Sequence, residues 1–434
     1  MAKGHRGAGI LVLCAASIAL AACGGSDSDS GAAGGDGPVR AAVFQPFSGP
    51  DAGFGPTLLS GCLSAQASIE EAGGVLGREF ECVTEDTGTN PNEAVPAANR
   101  MLSSVENLVM VIGPSNSGPA TTPIISDAGV AIFSTSGDPH YNTNTDPNHF
   151  RMTPSDDLNG TVMAYYGSRN GISRAAIVFE DSAAAETNIA SLKRTFEALG
   201  GEIVAEMKLV PEQSSYRTEA ARLIDSGADG VFTELDARTA STFWSEVLQQ
   251  TGELPVMVSD ERQFSADWLK PFTKAIGVEP LKGKLFGVSP GSPEPGPALD
   301  EFQKGIRGLG SEVDDPEQYL EDPYSTAGYN AAVIAALAMA AADSADPAEW
   351  RRAVEEITGE PADGATEVST FAEGVRALRR GERIAYIGTA GPIVFDRFQN
   401  ASGAFTTFEF EPTTLRTEPT GEVTAEEIAR LRGE

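Results

Sequence analysis

The sequence predicts an α/β protein made of two doubly wound parallel sheets, and three observations lead there. Short apolar runs alternate with helical patterns along most of the chain, the pattern of parallel sheets covered by helices. The alternation pauses near Phe150 and starts again at Arg174, so there are two such blocks. The chain has 434 residues, too many for one hydrophobic core.

The start of the chain stands apart from both blocks. Lys3, His5 and Arg6 form a positive region, Ala8 to Leu20 is mostly apolar, and small residues follow at Ala21-Ala22-Cys23-Gly24. That is a secretory signal over residues 1–22, too short for a comfortable membrane span. Leu20-Ala21-Ala22-Cys23 resembles a bacterial lipobox, which implies a lipid on Cys23 and a protein anchored to the outer side of the cell membrane. Residues 23–38 are rich in Gly, Ser and Asp and have almost nothing to bury, so they read as a flexible tether.

The first block opens with a strand over Val39 to Gln45 and the turn Pro46-Phe47-Ser48-Gly49-Pro50. A helix then carries Leu58, Leu59, Cys62, Ala65 and Ile69 at helical spacing and stops at Gly73-Gly74. Glu79 to Thr84 is a strand, Asn92 to Val105 a helix. The stretch Leu108–Pro139 organises the block. It reads strand, polar tip (Ser115, Asn116, Ser117, Gly118), helix, strand (Val130 to Phe133), polar tip (Ser134, Thr135, Ser136, Gly137). In a parallel sheet both tips fall at the carboxyl edge, where α/β proteins bind ligands. Hydroxyls and free N–H groups gathered there describe a small-ligand site that needs no catalytic residue.

Phe150 to Pro154 reads as a crossover leading into an acidic helix start at Ser155-Asp156-Asp157. In the second block strands are expected at Arg174–Phe179, Ile203–Leu209, Gly230–Thr233 and Pro255–Val258, separated by helices. Leu285–Val288 is a return strand and Ser289–Pro297 a loop. Pro323 to Ala342 is a long helix apolar nearly all round, hence buried; Tyr324, Ser325, Thr326 and Asn330 argue against a membrane span. Helices follow at Pro347–Ile357 and Thr370–Arg379, then a strand pair, Gly391–Asp396 with Ala404–Glu411. The tail beyond is expected as a short charged helix or frayed chain.

Composition removes several functions. The chain carries 62 acidic against 31 basic residues, a net charge of -31, which repels nucleic acid. The acidity itself reads as solubility. Past the signal only His140 and His149 remain, and nothing has metal-ligand spacing, so neither a metal nor another cofactor is expected. Gly287-Val288-Ser289-Pro290-Gly291 matches a nucleophile elbow in letters only, because Pro290 has no N–H for an oxyanion hole. Acids recur at strand ends (Glu180, Asp181, Glu234, Asp260, Glu261). Each alone is a solvated carboxylate by default; their repetition at strand C-termini marks an edge. Cys62 and Cys82 are an even pair in an oxidising compartment, on a helix and a strand that pack as layers of one unit; a disulfide is expected, with two buried thiols as the alternative.

These residues support a family. The motifs are Phe47-Ser48-Gly49-Pro50 through Phe54-Gly55, Glu71 through Arg78 (EAGGVLGR), Asp86-Thr87-Gly88, Val111-Ile112-Gly113-Pro114 with Ser117-Gly118, Arg151 through Asp156 (RMTPSD), and Gly391-Pro392 with Phe395-Asp396. In this order and spacing they resemble the leucine/isoleucine/valine-binding family of ABC-importer solute-binding proteins, with the type I periplasmic-binding fold.

The resemblance implies two Rossmann-like lobes joined by crossovers near Arg151, Phe286 and Gly391. The N-terminal lobe is then 39–150 plus 287–390, the C-terminal lobe 151–286 plus 391–416, and 417–434 a tail. It further implies that Asn116, Ser117, Ser134, Thr135 and Ser136 bind a ligand carboxylate, that Phe54 covers the ligand and that Tyr324 lines its side-chain pocket. Asp260 falls where the other lobe supplies an acid for the α-ammonium, with Glu234 and Asp236 also in reach. One departure stands out. Where the family often has Tyr-Gly, this chain has Asp181-Ser182-Ala183-Ala184-Ala185, with Ala184 at the tyrosine's place. A missing wall beside acids points away from branched-chain amino acids, toward a larger or more cationic amino-acid-like or amide ligand.

The expected function is a monomeric, non-enzymatic lipoprotein that captures such a ligand and passes it to ABC permease subunits. The alternative is a ligand-sensing regulatory lipoprotein of the same fold acting on a membrane or cell-wall partner.

Overall fold

The computed structural model describes residues 37–433 apart from 50, 89, 116, 182, 261–262, 264–265, 292, 360 and 412–415. The signal, Cys23 and nearly all of the tether lie outside the described residues, as do Asn116, Glu261 and the side chain of Ala184.

The first lobe forms around β1 (Val39–Gln45), β2 (Phe80–Asp86), β3 (Leu108–Ile112), β4 (Ala131–Ser134) and β5 (His149–Arg151). All four pairings are parallel, in the order β2-β1-β3-β4-β5. Helices cover both faces, so β1 and β3 are nearly continuous apolar runs rather than alternating ones. The helices are α1 (Phe54–Glu71), α2 (Pro91–Ser104) and α3 (Gly118–Asp127). α1 stops where expected: Gly73 and Gly74 take φ of 96° and 76°, and Gly74 N–H bonds back to the Ile69 carbonyl at 2.9 Å. Asn90 caps α2 through the Asn92 N–H, with Pro91 at the first helical position.

The second lobe repeats the plan. Its elements are α4 (Asp156–Arg169), β6 (Arg174–Glu180), α5 (Ala183–Ala198), β7 (Glu202–Leu209), α6 (Arg217–Asp225), β8 (Gly230–Glu234), α7 (Ala237–Thr251), β9 (Val256–Asp260), α8 (Ala266–Ile276) and β10 (Leu285–Pro290). The parallel strands run β7-β6-β8-β9-β10, the same second-first-third-fourth-fifth order as in the first lobe.

The chain then returns to the first lobe as α9 (Pro297–Gly308), α10 (Pro323–Ala342), α11 (Pro347–Ile357), β11 (Thr366–Val368), α12 (Phe371–Arg379) and β12 (Ile384–Gly388). α10 is the one described helix long and apolar enough to span a membrane, and it is buried in the first lobe's core against α1 and α11. Small residues allow the approach. A Cβ on Gly61 would stand 2.0 Å from the Ser325 carbonyl oxygen, so α1 and α10 meet backbone to backbone. A disulfide joins Cys62 on α1 to Cys82 on β2, with Cα atoms 6.1 Å apart.

Several expectations are corrected. Phe150-Arg151 belongs to a fifth strand, so the crossing comes at residues 152–155. β10 continues to Pro290 within the second sheet, so 287–290 go with the second lobe. Residues 391–396 and 404–411 do not pair with each other. β13 (Gly391–Pro392) pairs with β12, and β14 (Val394–Phe395) with β15 (Ala401–Ser402) in a small hairpin at the third crossing. β16 (Phe405–Glu411) lies antiparallel between β10 and β17 (Arg416–Val423). The tail is therefore a sheet edge. Its Pro419 and glutamates suit an edge strand and hid it from a reading by propensity. A capping box of Thr424 and Glu427 then starts α13 (Ala425–Arg432).

Candidate functional site

Strand order reverses once in each lobe, between β1 and β3 and between β6 and β8, and such a switch point opens a crevice at the strands' carboxyl ends.

At the first switch point β1 ends in a polar residue, Gln45, buried among apolar neighbours. Its amide accepts from the Ser115 hydroxyl at 2.8 Å and faces the Thr135 hydroxyl at 3.3 Å. Gln45 thus ties together the tips that follow β3 and β4. The Ser134 hydroxyl donates to the Pro114 carbonyl at 3.0 Å and accepts from Ser136 N–H. Ser115, Ser117, Ser134, Thr135 and Ser136 are all buried. Ser117 precedes α3, and its hydroxyl does not cap that helix. The α3 start is held by Tyr141, whose hydroxyl bonds Thr122 at 2.9 Å; a Cβ on Gly118 would come within 2.6 Å of that hydroxyl. The tips after β3 and β4 offer hydroxyls and N–H groups and, among their described residues, no charged side chain, which suits a carboxylate.

Phe54 and Tyr324 come together from the starts of α1 and α10, rings edge to face with centroids 6.0 Å apart. Asp322 positions Tyr324 by capping α10 through the Tyr324 and Ser325 N–H groups.

The second switch point is acidic. Glu180 ends β6, Glu234 ends β8 and Asp260 ends β9. Glu234 and Asp260 are buried, and Asn188 donates to Glu234 Oε1 at 2.9 Å. Asp236 caps α7, accepting from Arg238 and Thr239 N–H. Burial, followed by a hydrogen bond shared with Asp236, pushes the Glu180 carboxyl up to about 7. Burial alone would raise Asp236 too, but the Glu180 contact and the capping N–H groups hold it below the usual range. Of the two acids, Glu180 is thus the one that holds a proton at mildly acid pH. Asp181 stands apart: it is exposed, its N–H tied to the Leu209 carbonyl beside β7.

Sequence reasoning missed Gln45 and Ser115 as partners across the switch point. The signal was there, a glutamine closing an otherwise apolar strand. It also missed the Leu235 carbonyl, which accepts from Gln263 and from the Trp268 indole and fixes the loop after β8. Among the described residues no group of three or more His, Cys, Asp or Glu is placed to hold a metal ion.

Two lobes of one strand order, joined by three crossings, with uncharged polar tips after β3 and β4 in one and acids at the strand ends of the other, define a two-lobed binding protein of the type I periplasmic class. The chain belongs to the periplasmic binding protein family, whose profile matches residues 38–392. It is 24% identical over 198 residues to a Leu/Ile/Val-binding protein of Rhizobium johnstonii, spanning 45% of this chain and about half, 53%, of that relative. It is 26% identical over 315 residues to an amino acid binding protein of Pseudomonas aeruginosa, 71% of this chain and 80% of the relative. A solute-binding protein of an ABC transporter from Rhodopseudomonas palustris, solved with p-hydroxybenzoic acid, superposes with a TM-score of 0.69 at 18% identity, over 92% of this chain and 100% of that one. These relatives are solute-binding proteins, not enzymes. Proteins of this class work outside the cytoplasm.

Proposed function

We propose that this protein captures a small amphoteric ligand between its lobes and delivers it to the membrane subunits of an ABC importer. The carrying observation is the contrast between the two switch points: uncharged hydroxyls around Gln45 and Ser115, and carboxylates at Glu180, Glu234, Asp236 and Asp260. A ligand with a carboxylate at one end and an ammonium at the other satisfies both edges. Ser117, Ser134, Thr135 and Ser136, with Asn116, take the carboxylate; Asp260 and Glu234 take the ammonium; Phe54 and Tyr324 pack its body. Four acids on one edge favour a ligand with more positive charge than leucine carries, and Ala184 in place of a tyrosine leaves room for it.

The relatives' names support the ligand class, amino acids and, in one case, a hydroxybenzoate. A signal ending at Ala22 and a lipid on Cys23 anchor the monomer outside the cell membrane, with residues 24–38 as tether. A thermal-shift series of amino acids, amides, polyamines and hydroxybenzoate tests the reading. Stabilisation by cationic or amide amino acids supports it; stabilisation by leucine alone or by hydroxybenzoate alone contradicts it. Metabolic labelling with a fatty acid in wild type and Cys23→Ala tests the anchor.

A further inference from the structure

A cavity of about 420 Å³ lies where the three crossings meet, within the range of small-molecule sites. Each crossing supplies a wall, Thr153 at the first, Glu294 at the second and Thr389 at the third, and Asn159 adds to it from the start of α4. Tyr324 is its link to the site proposed above. The hydroxyls of Ser117 and Ser134–Ser136, and the acids Glu180, Glu234 and Asp260, do not line it.

Its chemistry is specific. Three carboxylates line it, half-buried Asp156 and exposed Glu294 and Glu422, and no Lys, Arg or His does so among the described residues. The side-chain oxygens of Thr153 and Asn159 are buried and lack a hydrogen-bond partner. Leaving such groups unmatched costs stability, and a ligand N–H supplies what they lack. The opposite wall is already satisfied: the Asn330 amide donates to Thr389 Oγ1 and accepts from the Tyr386 hydroxyl. Tyr324 adds an aromatic ring to the lining, a group that attracts cations. Acids, unmatched acceptors and an aromatic ring, with no Lys, Arg or His among the described lining residues, select an ammonium on an apolar body.

We propose that this hinge cavity is a second binding site, for a small organic amine bound as its ammonium. It goes beyond the solute site, since its occupant touches all three crossings and needs neither switch point.

Calorimetric titration of the full chain with benzylamine, and with benzyl alcohol as the uncharged counterpart, tests the proposal. Benzylamine binds at least about tenfold more tightly than benzyl alcohol, since loss of one charged hydrogen bond is worth that much. Asn159→Leu and Glu294→Gln each weaken benzylamine about fivefold or more, whereas Asp260→Asn leaves it unchanged. Glu294 is exposed, so its variant keeps the fold and isolates the charge effect. No benzylamine binding, equal binding of the alcohol, or binding indifferent to Asn159→Leu and Glu294→Gln overturns the proposal. Loss of benzylamine in Asp260→Asn alone also overturns it, by moving the amine to the solute site while leaving that site's reading intact.

Discussion

Gln45 and Ser115 hydrogen-bond at 2.8 Å across the point where strand order reverses in the first lobe. The bond links the end of β1 to the loop after β3 at the place where the topology opens a crevice. Gln45 reaches the loop after β4 as well, through Thr135 at 3.3 Å. Gln45→Ala therefore removes one support from the loops after β3 and β4. The expected cost is about 1–2 kcal/mol in urea unfolding, together with weaker ligand binding.

Glu180 makes the acidic edge of the second lobe pH-dependent. Its carboxyl is raised from 4.5 to about 7 in the folded protein. The folded state therefore holds a proton that the unfolded chain has released. The stability this contributes is full below pH 4.5 and is lost as pH rises through about 7. Chemical unfolding of wild type and Glu180→Gln across pH 4.5 to 8 checks the sign: wild type loses stability relative to the variant as pH rises. A bound ammonium favours the ionised acid, so affinity for a cationic ligand rises with pH in wild type and stays flatter in the variant.

His149 has the opposite sign. It is fully buried, stacks on Tyr141 with centroids 4.3 Å apart, and burial pushes its imidazole down to about 4. Folded His149 stays neutral where the unfolded chain takes up a proton. Its contribution is full above pH 6.5 and disappears as pH falls through about 4. The loss amounts to about 3 kcal/mol. His149→Phe keeps the stacking and should flatten this part of the acid unfolding profile relative to wild type.

The Cys62–Cys82 bridge closes a separation of 20 residues within the first lobe. The double variant Cys62→Ala/Cys82→Ala should lose about 3 kcal/mol, read as a lower urea midpoint. Wild type in reductant should move the same way.

The parts legible in sequence are those where a local signal matches the fold. The helices read from Pro323 and Pro347 start there, capped by Asp322 and Asp346, while the helix read from Asn92 starts one residue earlier at Pro91 with Asn90 as its cap. Gly73-Gly74 ends α1 as read. The polar tips after β3 and β4 stand out because they interrupt apolar runs. What stayed hidden depends on distant pairing. β17 looks like a turn (Thr417 to Gly421) and becomes a strand because β16 lies beside it. β10 carries on through Ser289-Pro290 because β16 pairs with it there. The Glu180–Asp236 contact joins the end of β6 to the cap of α7, and no spacing in the chain announces it.

The central claim is that the loops after β3 and β4 hold the carboxylate of a solute captured between the lobes. Calorimetry of wild type and Ser117→Ala with a ligand found in the thermal-shift series tests it most directly. Ser117 is buried beside the start of α3, and its hydroxyl caps no helix, so its removal spares the fold. The account predicts at least about tenfold weaker binding in Ser117→Ala, the worth of a hydrogen bond to a charged group. Unchanged affinity in a folded variant would contradict it.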